Sequence, residues 1–440
     1  MAYLGAVVFI LSLVITGLPA QSANAAESFH SGSAGKCEEC HLSARNDETG
    51  DAAAANGAAA RGAVGSRNGK VMLRGSDPSS TCLRCHEAPQ GAMQPQGHFV
   101  SSSNLGAGLA PTQLTPGGDF GWLRKNFQWQ AKDGGNERSS GDRHGHNIVA
   151  ADYSYAADGT LRTAPGGTFQ SANLSCTSCH DPHGRYRRDV NGTISTTGPA
   201  VGGSGSYTSS ADPDSFSSVS TYRMLAGKGY QQKWSSGAAF MADPPAAVAP
   251  VTYNRSEAST DTRVAYGSGM SEWCQNCHSS IHKSDGMRAS QHPAGNNARL
   301  SADTTYNYNF YVASGNLSGK QDTAYTSMVP FEMGTDDYTV LKQVANSNGS
   351  NASGPDGSAN VMCLSCHRAH ASGWDSMTRW NTKSTMLVAN GRYPGIDNGA
   401  SVDDAQGRTE AETRKTFYDR PASRYALYQR SLCNKCHAKD

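Results

Sequence analysis

Hydrophobic positions cluster once in this chain and are scattered everywhere else. The cluster is the apolar run Leu4–Leu18, followed by Pro19 and small residues in an Ala23-Asn24-Ala25 arrangement. Residues 1–26 contain no Lys, Arg, Asp or Glu, so the segment reads as a secretory signal peptide cleaved near Ala25 or Ala26. It is short for a membrane span, and no other stretch approaches the 18 apolar residues one requires, so the mature chain, 27–440, is expected to be soluble. Beyond it the pattern carries few helical periods. Gly202–Ser210 and Asn346–Asn360 are turn-rich, and Asp51–Gly65, rich in Ala and Gly, suits either a helix or a loop. Short helices are expected over Ser279–Lys283, His367–Trp374 and Ala411–Tyr418. The expected fold is mostly coil and loops with short helices and little sheet, forming one continuous domain.

Composition makes that architecture a problem. Hydrophobic residues are 37% of the chain, and 48 Gly with 18 Pro leave little aliphatic surface to bury. With a mean hydropathy of −0.56, disorder would be the default expectation.

The cysteines resolve it. All 12 fall in six copies of CxxCH: Cys37, Cys40, His41; Cys82, Cys85, His86; Cys176, Cys179, His180; Cys274, Cys277, His278; Cys363, Cys366, His367; and Cys433, Cys436, His437. Two thiols three residues apart can each add to a vinyl group of one haem, and the following imidazole is carried beneath the ring to bind iron. Paired CxxC knuckles can also hold structural zinc, but zinc does not require a histidine after the second cysteine. With 14 His in 440 residues, six such histidines by chance is an event on the order of one in a billion. Six covalent c-type haems are therefore expected, each replacing part of the missing core, and no cysteine remains for a disulfide. The apo-protein is not expected to fold. The formal charge of +1 points to no nucleic-acid partner, and propionates would make the loaded protein anionic.

Successive first cysteines lie 45, 94, 98, 89 and 70 residues apart, which excludes a short repeat. Eight histidines lie outside the motifs: His30, His98, His144, His146, His183, His282, His292 and His370. They are eight candidates for six distal positions. His183, His282 and His370 follow a motif histidine too closely to reach the far face of the same haem, so each is expected to bind the next. Methionine is the competing ligand, but none of the 12 sits at a telling spacing. Bis-His iron throughout implies low potentials and no position open to substrate. Trp273, Trp374, Trp380 and Tyr428 are expected against porphyrin faces. The run Arg185–Arg188 is either a solvated patch or a set of propionate partners.

Several long segments carry a resemblance: Phe29–Gly32 (FHSG), Leu114–Trp122 (LTPGGDFGW), Gly145–Ala150 (GHNIVA), Thr163–Gly167 (TAPGG), Ser178–Gly184 (SCHDPHG), Val264–Cys274 (VAYGSGMSEWC), Cys363–Gly373 (CLSCHRAHASG) and Cys433–Asp440 (CNKCHAKD). In these the chain resembles the filament-forming hexahaem outer-surface c-type cytochromes. The resemblance implies a secreted electron-transfer protein, not an enzyme, whose bis-His haems form an unbroken chain. It implies head-to-tail homopolymers that take electrons from periplasmic or outer-membrane cytochromes and pass them to metal oxides, electrodes or partner cells. A monomeric periplasmic carrier and a multihaem reductase are the alternatives. Two departures bear on assembly. Where the family has a histidine three residues after the first motif, ligating a neighbouring subunit's haem, this chain has Ala44. The family histidine just after the second motif is also absent, near Pro89. The segment Leu42–Lys70 is longer than in the family, and His30 or His144 is expected to fill the vacancy.

Overall fold

The computed structural model describes residues 30, 37–42, 66–67, 70–93, 95, 97–103, 105–106, 108–232, 237–251, 254–259, 262–281, 293–310, 329–346 and 355–437. The signal segment, Ala44, Asp51–Gly65, His282 and His292 lie outside the described residues.

Coil and turn dominate, as expected. The longest described helices, Pro78–His86, Ala302–Phe310 and Tyr338–Asn346, have nine residues each. The first starts where the sequence says it should: Asp77 caps it by accepting from the Ser80 amide at 2.8 Å, and Pro78 supplies a preset first turn. It runs directly into the second motif and ends at His86. Glu410–Thr416, overlapping the expected 411–418 helix, opens on a Thr409/Glu412 capping box.

The other two expected helices do not form among the described residues. His367–Trp374 is extended because its amides are claimed by distant loops: Arg368 donates to the Met377 carbonyl, His370 to Gly117 and Ser372 to His144. Residues 279–281 form a turn whose Ser280 amide donates to Gly166 at 2.6 Å.

Sheet is confined to small pieces. The largest has four short strands in the order Ile194–Ser195, Arg187–Arg188, Ser217–Ser220, Ala200–Gly203, with the first two pairings antiparallel and the last parallel. Ala200–Gly203 enters the segment read as turns. The apolar core is divided into separate clusters, one around Tyr222, Tyr266, Met270 and Met362 and another around Trp374, Val388, Tyr393 and Phe417. Small clusters between loops are what a chain produces when its elements pack around something larger than its own side chains. No described helix is long and apolar enough to cross a membrane.

Candidate haem sites

Each motif is wound into one turn. In five of them the histidine amide donates to the carbonyl of the first cysteine, at 2.8 Å for His41, 3.0 Å for His180, His367 and His437, and 3.1 Å for His278. His86 ends a regular helix. The turn fixes the spacing of the two thiols.

Four of the six motif imidazoles are held in one tautomer. Nδ1 of His86, His180, His278 and His367 lies 2.9, 2.8, 2.9 and 2.8 Å from the carbonyls of His98, Arg223, Pro165 and Ser376. A carbonyl can only accept, so Nδ1 donates and Nε2 keeps its lone pair for a metal. Two non-motif histidines are held alike: His146 Nδ1 donates to Ala369 at 2.7 Å and His370 Nδ1 to Gly118 at 3.2 Å. Burial pushes His86 and His146 down to about 4 and His370 to about 3, so all three are neutral, the form that binds iron.

Four motif histidines face a second imidazole. Ring centroids are 6.3 Å apart for His41 and His183, 6.2 Å for His86 and His30, 6.4 Å for His180 and His370, and 6.1 Å for His278 and His146. Imidazole nitrogen binds a metal at roughly 2 Å with the centroid roughly 1 Å behind, so two rings sharing one ion sit about 6 Å apart. Stacked rings in direct contact would be much closer. The spacing therefore fits an iron between each pair, and these eight residues could hold four haems.

The remaining candidates divide. His144 is fully buried but engaged at both nitrogens, Nδ1 donating to Trp122 at 3.0 Å and Nε2 lying 2.8 Å from Ser139 Oγ. Both of its nitrogens are taken by protein partners, and of the two residues expected to fill the Ala44 vacancy only His30 faces a motif histidine among the described residues. The exposed His98 stands edge-on to His86 at 5.3 Å, on the Nδ1 side that its own carbonyl occupies. Among the described residues no second imidazole faces His367. His183 and His370 do reach other motifs, but two motifs back in the chain instead of the next one.

Motif order in space follows motif order in sequence. Cys40 neighbours Cys85; the Cys82 and Cys176 thiols are within hydrogen-bonding reach; Cys179 neighbours Cys277; Cys274 and Cys363 are again within reach; Cys366 neighbours Cys433. The two closest junctions share one construction. Ser79, three residues before Cys82, accepts the Cys176 amide at 3.2 Å, and Ser271, three before Cys274, accepts the Cys363 amide at 3.0 Å.

Two glycine loops position the rings. In Thr115–Gly118, a Cβ on Gly118 (φ +94°) would lie 1.8 Å from the Ala371 carbonyl oxygen, and Gly117 abuts the His370 ring. Asp119 locks that loop: buried to 1% exposure, it accepts from the amides of Ser102, Gln113 and Gly121 at 2.8, 2.9 and 2.7 Å. In Thr163–Gly167, a Cβ on Gly167 would lie 1.8 Å from the Cys277 carbonyl oxygen, and the Pro165 carbonyl accepts from His278 Nδ1. Sequence reasoning recognised these loops without assigning them a role.

Trp374 and Trp380 are buried in the C-terminal cluster, Trp273 donates to the Ala226 carbonyl at 2.8 Å, and Tyr428 is exposed. The Arg185–Arg188 run is spent on protein: Arg185 pairs with Asp181 at 3.0 Å, Arg187 donates to Pro199 and Arg188 to Gly192, each at 2.8 Å. A second arginine group, around Arg368 and Arg379, had no sequence signal because its members come from three separate segments.

No family model matches the chain. It is 50% identical over 427 residues to the C-type cytochrome OmcS of Geobacter sulfurreducens, covering 95% of this chain and 96% of the relative. The solved outer membrane cytochrome S filament of the same organism is 49% identical, covers 94% of this chain and 100% of its own, and superposes with a TM-score of 0.82. The OmcS nanowires seen by cryo-electron microscopy match over the same spans at 0.81. Likeness of that extent, in sequence and fold together, places this chain in the OmcS family of c-type cytochromes.

Proposed function

We propose that this chain carries six covalent haems, one per CxxCH motif, and conducts electrons along them outside the cell as a head-to-tail homopolymer. It would receive electrons from periplasmic or outer-membrane cytochromes and deliver them to extracellular acceptors such as metal oxides or electrodes. The observation that carries this reading is the set of four imidazole pairs at metal-spanning distance on motifs whose cysteines neighbour one another in sequence order.

Bound haem supplies an iron that exchanges one electron without bond rearrangement. The rest is the work of this chain. His41 and His183, His86 and His30, His180 and His370, and His278 and His146 would each hold one iron between them. His282 and His292 are the remaining intramolecular candidates for His367 and His437. Irons held by two imidazoles at these four sites would have no position for substrate, which favours conduction over a reductase. The family histidine replaced by Ala44 binds between subunits, and interfaces depend on many contacts, so its loss does not by itself abolish assembly. Electron microscopy of the secreted protein tests the proposal: unbranched filaments are expected, and a fully low-spin protein that stays monomeric at high concentration would reduce the reading to a soluble carrier.

A further inference from the structure

The turn that follows the third motif holds a carboxylate against a ligand of the first site. Asp181-Pro182-His183-Gly184 has the residues a tight turn asks for: Asp at its first position, Pro at its second and Gly at its fourth. It closes with the Gly184 amide donating to the Asp181 carbonyl at 3.0 Å, and the Asp181 amide ties it to Met224 at 2.9 Å. The Asp181 side chain is 2% exposed. One of its oxygens, Oδ1, accepts from the His183 amide at 3.2 Å and lies 3.6 Å from His183 Nδ1, within ion-pair distance. The other, Oδ2, accepts from the Arg185 amide at 3.1 Å and from Arg185 Nε at 3.0 Å. A four-residue turn thus sets an imidazole beside a fixed negative charge.

The other paired imidazoles are held differently. Nδ1 of His86, His180, His278, His146 and His370 donates to a backbone carbonyl, which carries no net charge. In the first site, His41 Nδ1 has no hydrogen-bond partner among the described residues, so the polarisation of that site falls to His183. A carboxylate accepts more strongly than a carbonyl and draws the Nδ1 proton toward itself, leaving more electron density on Nε2. That density favours ferric over ferrous iron. We infer that Asp181 is a positioning residue for the first site, holding His183 in the tautomer that presents Nε2 and depressing the potential of the haem between His183 and His41. This rests on the haem loading proposed above. Arg185 sets the strength of the effect, because it engages the carboxylate's other oxygen. The charge is carried by the turn of the third motif and felt at the iron of the first.

Asp181→Asn tests it, read by spectroelectrochemistry and low-temperature electron paramagnetic resonance of the intact, haem-loaded protein. Loss of such a partner changes a metal-site equilibrium by about tenfold, so one haem wave should move up by about 59 mV. One low-spin ferric resonance should change its anisotropy at the same time, since the ligand field at that iron is altered. Arg185→Gln should act on the same wave and resonance in the opposite direction. Unchanged waves in fully loaded Asp181→Asn overturn the inference. So does a moved wave with unchanged resonances, because the carboxylate would then act only as a distant charge. If Asp181→Asn does not load all its haems, Arg185→Gln decides the matter, and the absence of a downward shift there overturns the inference. Haem content by mass spectrometry keeps the two readings apart: a wild type with six haems and variants with unmoved waves refute only the role of Asp181.

Discussion

Glu332→Gln should flatten the alkaline loss of stability in this protein. Glu332 is fully buried. One oxygen accepts from the Met270 amide at 3.0 Å and the Ser271 amide at 3.5 Å, while the other has no hydrogen-bond partner. Burial, followed by the nearby Glu272 carboxylate, pushes it from an ordinary 4.5 up to about 7. Because the folded value is the higher one, the native state binds the extra proton between 4.5 and 7. The protonated carboxyl's contribution is complete below 4.5 and is lost as pH rises through about 7. A displacement of this size corresponds to about 3 kcal/mol, of which about 2–3 kcal/mol falls between pH 5 and pH 8. The assay is guanidinium unfolding of the haem-loaded protein at several pH values, for wild type and for Glu332→Gln. Other titrating groups, propionates included, cancel in the difference between the two. Glutamine keeps an acceptor for the two amides and cannot ionise, so the variant should gain on wild type as pH rises. Parallel profiles from pH 5 to pH 8 would show that Glu332 stays ionised in the fold, and the reasoning from burial would be wrong.

Two further outcomes follow from the site geometry. His370→Ala should convert one haem to a high-spin or solvent-ligated form, visible in the optical spectrum and by carbon monoxide binding, whereas His144→Ala should leave every haem low-spin and cost about 1–3 kcal/mol from two lost buried hydrogen bonds. Gly118→Ala must displace the Ala371 carbonyl that its Cβ would strike, so this single methyl should reproduce part of the His370→Ala spectrum; a normal spectrum at full stability would refute the assigned role of the loop.

What the sequence could say was set by distance along the chain. The motif turns are local, closing within five residues, and so were legible, as was the helix whose Thr409–Glu412 box announces its start. His367–Trp374 was misread because its amides are claimed by Met377, Gly117 and His144, two of which lie far away in sequence. The imidazole pairs are separated by 56, 142, 132 and 190 residues, and no spacing rule reaches so far. Composition marked the polypeptide as short of aliphatic core, and the separate small apolar clusters agree with it. Ala44 was visible as a missing ligand; that His30 faces His86 was not.

The nearest cysteine neighbours run from the first motif to the sixth, with two of the five junctions within hydrogen-bonding reach. With the proposed haems in that order, conduction would run in series. Its slowest hop would then limit traffic, and one faulty junction would halt the molecule and, in a polymer, every molecule downstream. The two serine-latched junctions, built alike at Ser79 and Ser271, are the kind of redundancy in construction that a circuit without redundancy in routing requires.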